Sequence, residues 1–270
     1  MPPSKRQAAT RIPQASDFDH LQKRLHLSLV YPHDTPETTT ALMVLLHGLG
    51  DSEVSFARLA RNLNLPGVLG IAVRGVEPLP PALLGLPPGA AGEGVTHFHW
   101  GDDVNVDPAT GELDLDPGFD KARRLVLDEL VLGTLVDKLG WRTEDVLLFG
   151  LGQGGSVALG MASRLREGGG ERVVDVTEGG PAAEQEEDRA FKGVVSIGGP
   201  LPPSMVPTLS SRKKARTPAL VCHGRNSKAV DDDAIEYLRS ELADVRVVKW
   251  SKRDSGGDDD GMPRNREEML

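Results

Sequence analysis

Hydrophobic positions along the chain switch repeatedly between short apolar runs and helical stripes. LHLSLVY, centred on residues 26–31, alternates like an early, half-exposed strand. ALMVLLHG, 41–48, is a near-continuous apolar run ending in glycine, as a buried central strand should be. Asp51 and Ser52 then start a helix whose stripe is Val54, Phe56, Leu59, Ala60 and Leu63. VLGIAV, 68–73, predicts the next strand. Residues 76–118 form a long connection rich in proline and glycine, a length that inside a compact domain signals function or disorder. Asp116 before Pro117 predicts a helix start, running to about Leu139 and burying Phe119, Ala122, Val126, Leu130 and Leu135. DVLLFG is a strand and QGGSVALGMASRLR a helix stopped by three glycines. GVVSIGG and PALVCHG are two more strands, DDDAIEYLRSEL a helix with acids in its first turn, and VRVVKW a last strand. Alternation of this kind predicts a mostly parallel sheet with helices on both faces.

Composition narrows the function. The 270 residues can bury a full core. A net charge of −9 excludes a nucleic-acid or anionic-membrane surface, which needs clustered Lys and Arg. No apolar run is long enough to span a membrane, and the start MPPSKRQAATRIPQAS lacks the apolar centre of a secretory signal. The single cysteine, Cys222, rules out an internal disulfide and fits a reducing compartment, so the expected location is the cytoplasm, with nucleus or mitochondrion as the alternatives. Residues 1–20 read as a disordered arm and 21–270 as one domain, with 167–190 an acidic surface insertion.

Four landmarks carry a resemblance: HGLGD (47–51) after a buried strand, HFHWGDD, GLGQGG (150–155) and LVCHG (220–224). In this combination the chain resembles the acyl-protein thioesterase and small carboxylesterase family (phospholipase/carboxylesterases) of α/β-hydrolases, from about Leu21 onward. The resemblance implies an α/β-hydrolase fold. It also implies a family chemistry of hydrolysing palmitoyl-protein thioesters and carboxylic esters with a Ser-Asp-His triad and neither metal nor cofactor. Followed residue by residue, the family's serine falls on Gly152. The aspartate, in a pattern like H-G-x-x-D-x-x-V, falls on Ser227, and the histidine falls on Arg264 in GMPRN. All three reagents are therefore replaced. Gly152 has no side chain, Ser227 no charge, and Arg264 stays protonated and cannot act as a base.

Other candidates have plainer explanations. Ser156 lies one helical turn below the elbow and reads as a packing residue; Cys222 sits in a buried strand, where thiols are usually inert. His47 and His223 read as holding their H-G turns, and His97 with His99 lack a third ligand for zinc. Asp231, Asp232 and Asp233 cap a helix, and Asp258, Asp259 and Asp260 belong to a glycine-rich turn.

The resemblance leaves a receptor. By carry-over, the oxyanion-binding N–H groups are those of Leu49 and Gln153, which need no particular side chain, and Trp100 is a candidate for the cleft wall. A helix N-terminus at Gln153, with Arg264 turned inward, would favour a carboxylate or acyl ligand. The family's last helix, begun here by NREEML, is expected to be truncated, leaving a sheet face for a protein partner to cover. The sequence thus predicts a ligand- or partner-binding pseudo-hydrolase. Two other readings stay open: an active esterase with an unidentified nucleophile, and a structural or truncated product.

Overall fold

The computed structural model describes residues 10–33, 35–80, 83, 97–105, 113–166, 189–208 and 213–250. Seven strands form the central sheet: β1 (Leu27–Val30), β2 (Ala41–Leu46), β3 (Val68–Val73), β6 (Val146–Leu151), β7 (Gly193–Ile197), β8 (Ala219–Gly224) and β9 (Val245–Trp250). Their order is β1-β3-β2-β6-β7-β8-β9. Only β1 runs antiparallel, against β3. Two short segments, β4 (Glu77–Pro78) and β5 (Phe98–His99), make a separate antiparallel pair that tethers the long connection. Neither segment carries an alternating run in the sequence, so this pair is a finding of the structure.

The helices fall where the stripes place them. They are α1 (Glu53–Leu63), α2 (Asp120–Ala122, continued with π winding over Arg123–Lys138), α3 (Gln153–Arg164) and α4 (Asp232–Glu241). Strand residues divide between two cores, as alternation requires. Leu42, Val44, Leu46, Ile71 and Val73 join α2 and α3 in the large core. Met43, Leu45 and Ala72 join Phe56, Ala57 and Ala60 of α1 on the opposite face.

The α1 stripe differs from its pattern. Phe56, Ala57 and Ala60 are buried, while Val54 and Leu63 are 47% and 43% exposed. The charged Glu53 is buried instead, because Arg74 holds it with two bonds of 2.7 and 2.6 Å. Arg74 in turn lies 4.7 Å over the Phe98 ring, so this ion pair links α1 to β5.

The expected disordered arm over 1–20 is corrected from residue 10 onward. Phe18, Leu21 and Leu25 are buried in the large core. The Arg11 N–H donates to Leu139 O, the Trp141 indole N–H donates to Arg11 O, and Asp17 accepts from Arg11 at 2.6 Å. Phe18, together with Leu21 and Leu25 just beyond the arm, outweighs its polar character, and Arg11 compensates the charge of the buried Asp17. The acidic stretch 167–188 and residues 251–270, including the expected last helix, lie outside the described residues.

One sheet face is incompletely covered by the described elements. α2, α3 and the large core cover one side, and α1 covers only the β1-β3-β2 half of the other. Beyond α1, Leu147, Phe149, Leu151, Val195 and Leu220 are half-buried, and Val248 is exposed. Phe149 reaches the edge of α1, with its ring centroid 6.2 Å from that of Phe56.

Candidate functional site

The sharp turn from β6 into α3 is built by glycines. Gly152 sits at φ 49 and ψ −121, a backbone region that side chains rarely adopt. Its N–H donates to Ile197 O at 2.7 Å, and its carbonyl accepts from Ser156 N at 3.0 Å. The flanking glycines are sterically required. A Cβ on Gly150 would lie 2.2 Å from Gly154 O, and one on Gly154 would lie 2.4 Å from both Leu46 O and His47 O. A Cβ on Gly199 would lie 2.2 Å from Gly152 O. Around Gly152 itself the space is open: nothing lies within 4 Å of a Cβ placed there. The turn therefore keeps the shape that presents a side chain outward, at a position that has none.

Leu49 and Gln153, the two residues named by the resemblance, lie close together. They line one shallow, solvent-open depression of about 220 Å³, with Asp103, Leu113, Asp114 and Pro117. The turn carrying Leu49 is held by His47, whose Nδ1 lies 2.7 Å from Gly48 O and whose Nε2 accepts from Gly75 N at 2.7 Å. Burial pushes the His47 pKa down, which suits an imidazole accepting from a backbone N–H. His47 is thus a structural residue.

Trp100 is not a cleft wall. Its side chain is fully buried, its indole N–H donates to His47 O at 2.8 Å, and its backbone N–H donates to Gln153 Oε1 at 2.8 Å. A large ring with one polar atom is stable there because that atom finds a carbonyl. Trp100 and the Gln153 side chain fasten the long connection to the elbow from beneath.

Ser227 lies in the turn before α4. Its Oγ accepts from Val230 N at 3.0 Å and its N–H donates to Gly224 O at 3.1 Å. Arg264 lies outside the described residues. Ser156 is buried, with Oγ 3.5 Å from Gly152 O, below the turn. Cys222 is half-buried, and burial pushes its thiol pKa up, away from a reactive thiolate. His97 is exposed against Gly50 O, while His99, two residues on, is buried. His223 places Nδ1 2.9 Å from Gly224 O, and among the described residues its buried Nε2 has no hydrogen-bond partner. Among the described residues, no three His, Cys, Asp or Glu side chains are grouped to hold a metal ion.

Two carboxylates fasten the long connection, and one of them, Asp116, corrects the expected helix start. The helix does not begin at Asp116; Phe119 is its N-cap, and Asp102 caps it from across the chain, accepting from Asp120 N at 2.7 Å and Lys121 N at 2.8 Å. Asp116 instead accepts from Ser204 N at 2.8 Å and from the Ser204 hydroxyl, clasping the connection to the loop after β7. Capping across 18 residues leaves no local sequence signature. Asp103 and Asp114, on the wall of the depression, oppose an anion there, whereas the α3 N-terminus favours one.

Residues 29–170 match the phospholipase/carboxylesterase family. An uncharacterized hydrolase of Schizosaccharomyces pombe is 36% identical over 118 residues, which is 44% of this chain and 44% of that protein. The chain therefore spans under half the length of the curated relative it matches. Among solved structures, Zea mays acyl-protein thioesterase 2 superposes with a TM-score of 0.54 at 18% identity, covering 90% of this chain and 94% of that one. Esterase PE8 gives 0.55 at 17% identity, covering 85% and 90%. A phospholipase/carboxylesterase from Dyadobacter fermentans gives 0.53 at 15% identity, covering 90% and 92%. At these identities the structures speak to the fold alone. The family match covers more than half of the chain, elbow included, and with this sheet order the chain belongs to the phospholipase/carboxylesterase family of α/β-hydrolases.

Proposed function

We propose that this member of a hydrolase family is a pseudo-hydrolase, which holds an acyl or carboxylate ligand at the elbow and does not cleave it. The observation that carries the reading is Gly152, an elbow with its strained geometry intact and no nucleophile upon it. Acyl transfer needs a nucleophile, a base and a group to orient that base. Ser227 is engaged in a turn and uncharged, and an arginine stands at the third position, Arg264. In this reading the backbone N–H groups of Leu49 and Gln153 receive the ligand's oxygen, with the α3 N-terminus behind them. Leu113 and Leu49 offer apolar contact for the start of an acyl chain. The cytoplasm remains the proposed location.

The test is hydrolysis of short- and long-chain esters and thioesters by the full chain, beside labelling with a fluorophosphonate. The reading expects no labelled serine and no rate beyond roughly 10³–10⁴-fold over water, the residue of a receptor without its triad. A faster rate with probe on one serine overturns it and identifies an active esterase.

A second observation favours a protein partner as well. The half-buried row Leu147, Phe149, Leu151, Val195 and Leu220 belongs to central strands of a parallel sheet, which are ordinarily covered on both faces. A partner helix laid beside α1 would complete that layer. Cys222 pairs in register with Val248 on this face and is the only thiol of the chain, so its maleimide reactivity reports the covering. Slower labelling in cells than in purified protein supports a partner; equal rates discard it.

A further inference from the structure

A second hollow lies away from the elbow, at the other end of α1. It is a shallow hollow continuous with solvent, and it opens between the last turn of α1 and the exit of β1. Its inner lining is apolar: Val30, Met43, Ala60 and Val68. The floor is fixed by a close approach of helix to sheet, since a Cβ on Gly70 would lie 3.0 Å from Ala60 Cβ. The mouth is polar and cationic, with Arg61 and His33 both lining it and both exposed. Neither Arg61 nor His33 makes an ion pair or side-chain hydrogen bond among the described residues.

We propose that this hollow is a binding site for a small amphiphilic carboxylate, a monocarboxylic acid with an apolar tail of a few carbons. The inference stands on this hollow's own lining and is independent of the elbow reading. The tail occupies the floor, and the carboxylate meets the Arg61 guanidinium, whose planar fork matches a carboxylate in two hydrogen bonds. Other exposed arginines, Arg58 and Arg124 among them, also lack an acid partner among the described residues; Arg61 differs in lining this apolar hollow. Arg61 also lies in the last turn of α1, where its charge offsets the negative helix end. Asn64 closes that turn in the left-handed conformation, its N–H on Ala60 O, which engages one of the end carbonyls that would otherwise repel the ligand. A cation has no carboxylate to meet among the described residues lining this mouth.

The probe is hexanoate, titrated into the full ¹⁵N-labelled chain and read by amide chemical shifts. The proposal expects saturable shifts at Val30, Tyr31, His33 and the 61–65 turn, and none of that pattern with hexylammonium. Arg61→Gln should weaken binding by roughly tenfold, the loss of a charge-assisted contact. Leu65→Glu places a like charge at the mouth on an exposed side chain and should abolish the shifts with the fold intact. Absent or unsaturable shifts overturn the proposal. So do equal affinities for wild type and both variants, or equal binding of hexylammonium. Because the readout is local to this hollow, failure here leaves the elbow reading standing, and hydrolysis at the elbow would leave this site untouched.

Discussion

At the scale of single residues, four glycines of one motif have different tasks. Gly154→Ala puts a methyl 2.4 Å from two backbone oxygens that cannot move away, so it should cost about 2–3 kcal/mol in urea unfolding. Gly152→Ser meets no atom within 4 Å and carries only the cost of a positive φ, about 1–3 kcal/mol. The introduced serine should still not react with fluorophosphonate, because Ser227 and Arg264 at the other triad positions supply no base; labelling at residue 152 would reveal one from elsewhere. The replaced reagents were legible from the sequence, since Gly152 and Ser227 fall in short motifs with fixed spacing. The fate of Trp100 was not. Its motif places it near the elbow, but whether the ring lines the cleft or anchors beneath it depends on where the His47 carbonyl points, a matter of tertiary geometry.

At the scale of elements, the apolar runs fixed the strands of the central sheet and the four helices to within a few residues. What they left out is how charged residues tie elements together. Periodicity cannot show that Arg74, 21 residues on, pairs with Glu53 and lets it be buried. Asp102 was likewise unremarkable in sequence, yet its carboxylate caps α2 from a separate segment. Asp102→Ala should lower stability by about 1 kcal/mol, the usual worth of an N-cap, with an unchanged denaturant dependence. Asp102→Asn, which still accepts a hydrogen bond, should recover most of that loss. If both variants melt with the wild type, the α2 start does not depend on this carboxylate. The buried pair of Arg166 and Glu241, 2.6 Å apart, joins the end of α3 to the end of α4. Glu241→Ala removes a carboxylate from a buried guanidinium that also donates to Ser163 O and Lys213 O, and should cost about 3 kcal/mol by thermal or urea melting.

At the scale of the whole molecule, stability should depend on pH in two steps, and the sign of each follows from burial. His47 and His99 are buried, and burial pushes both pKa values below the ordinary imidazole value of about 6.5. The unfolded chain therefore takes up protons near pH 6.5 that the folded chain refuses. Their contribution is complete above that value and is lost as pH falls below it. Asp17 and Glu53 add the second step. Burial alone would raise their pKa values, but Arg11 and Arg74 outweigh it and hold both carboxyls below the usual range. Their contribution is present above the ordinary carboxylate values of about 4 and disappears as those groups protonate further down. Urea unfolding should give a plateau above about pH 7, a decline that sets in below about pH 6.5, and a steeper one below about pH 4. His47→Asn, which cannot gain a proton, should start from a lower plateau and flatten the first decline. Because His47 braces the turn that carries Leu49, that decline should also reach the elbow. Amide exchange at Leu49 and Gly50 should quicken in the same interval, ahead of global unfolding. Exchange there that stays level until the sheet itself opens would show the turn to be held by something other than a neutral His47.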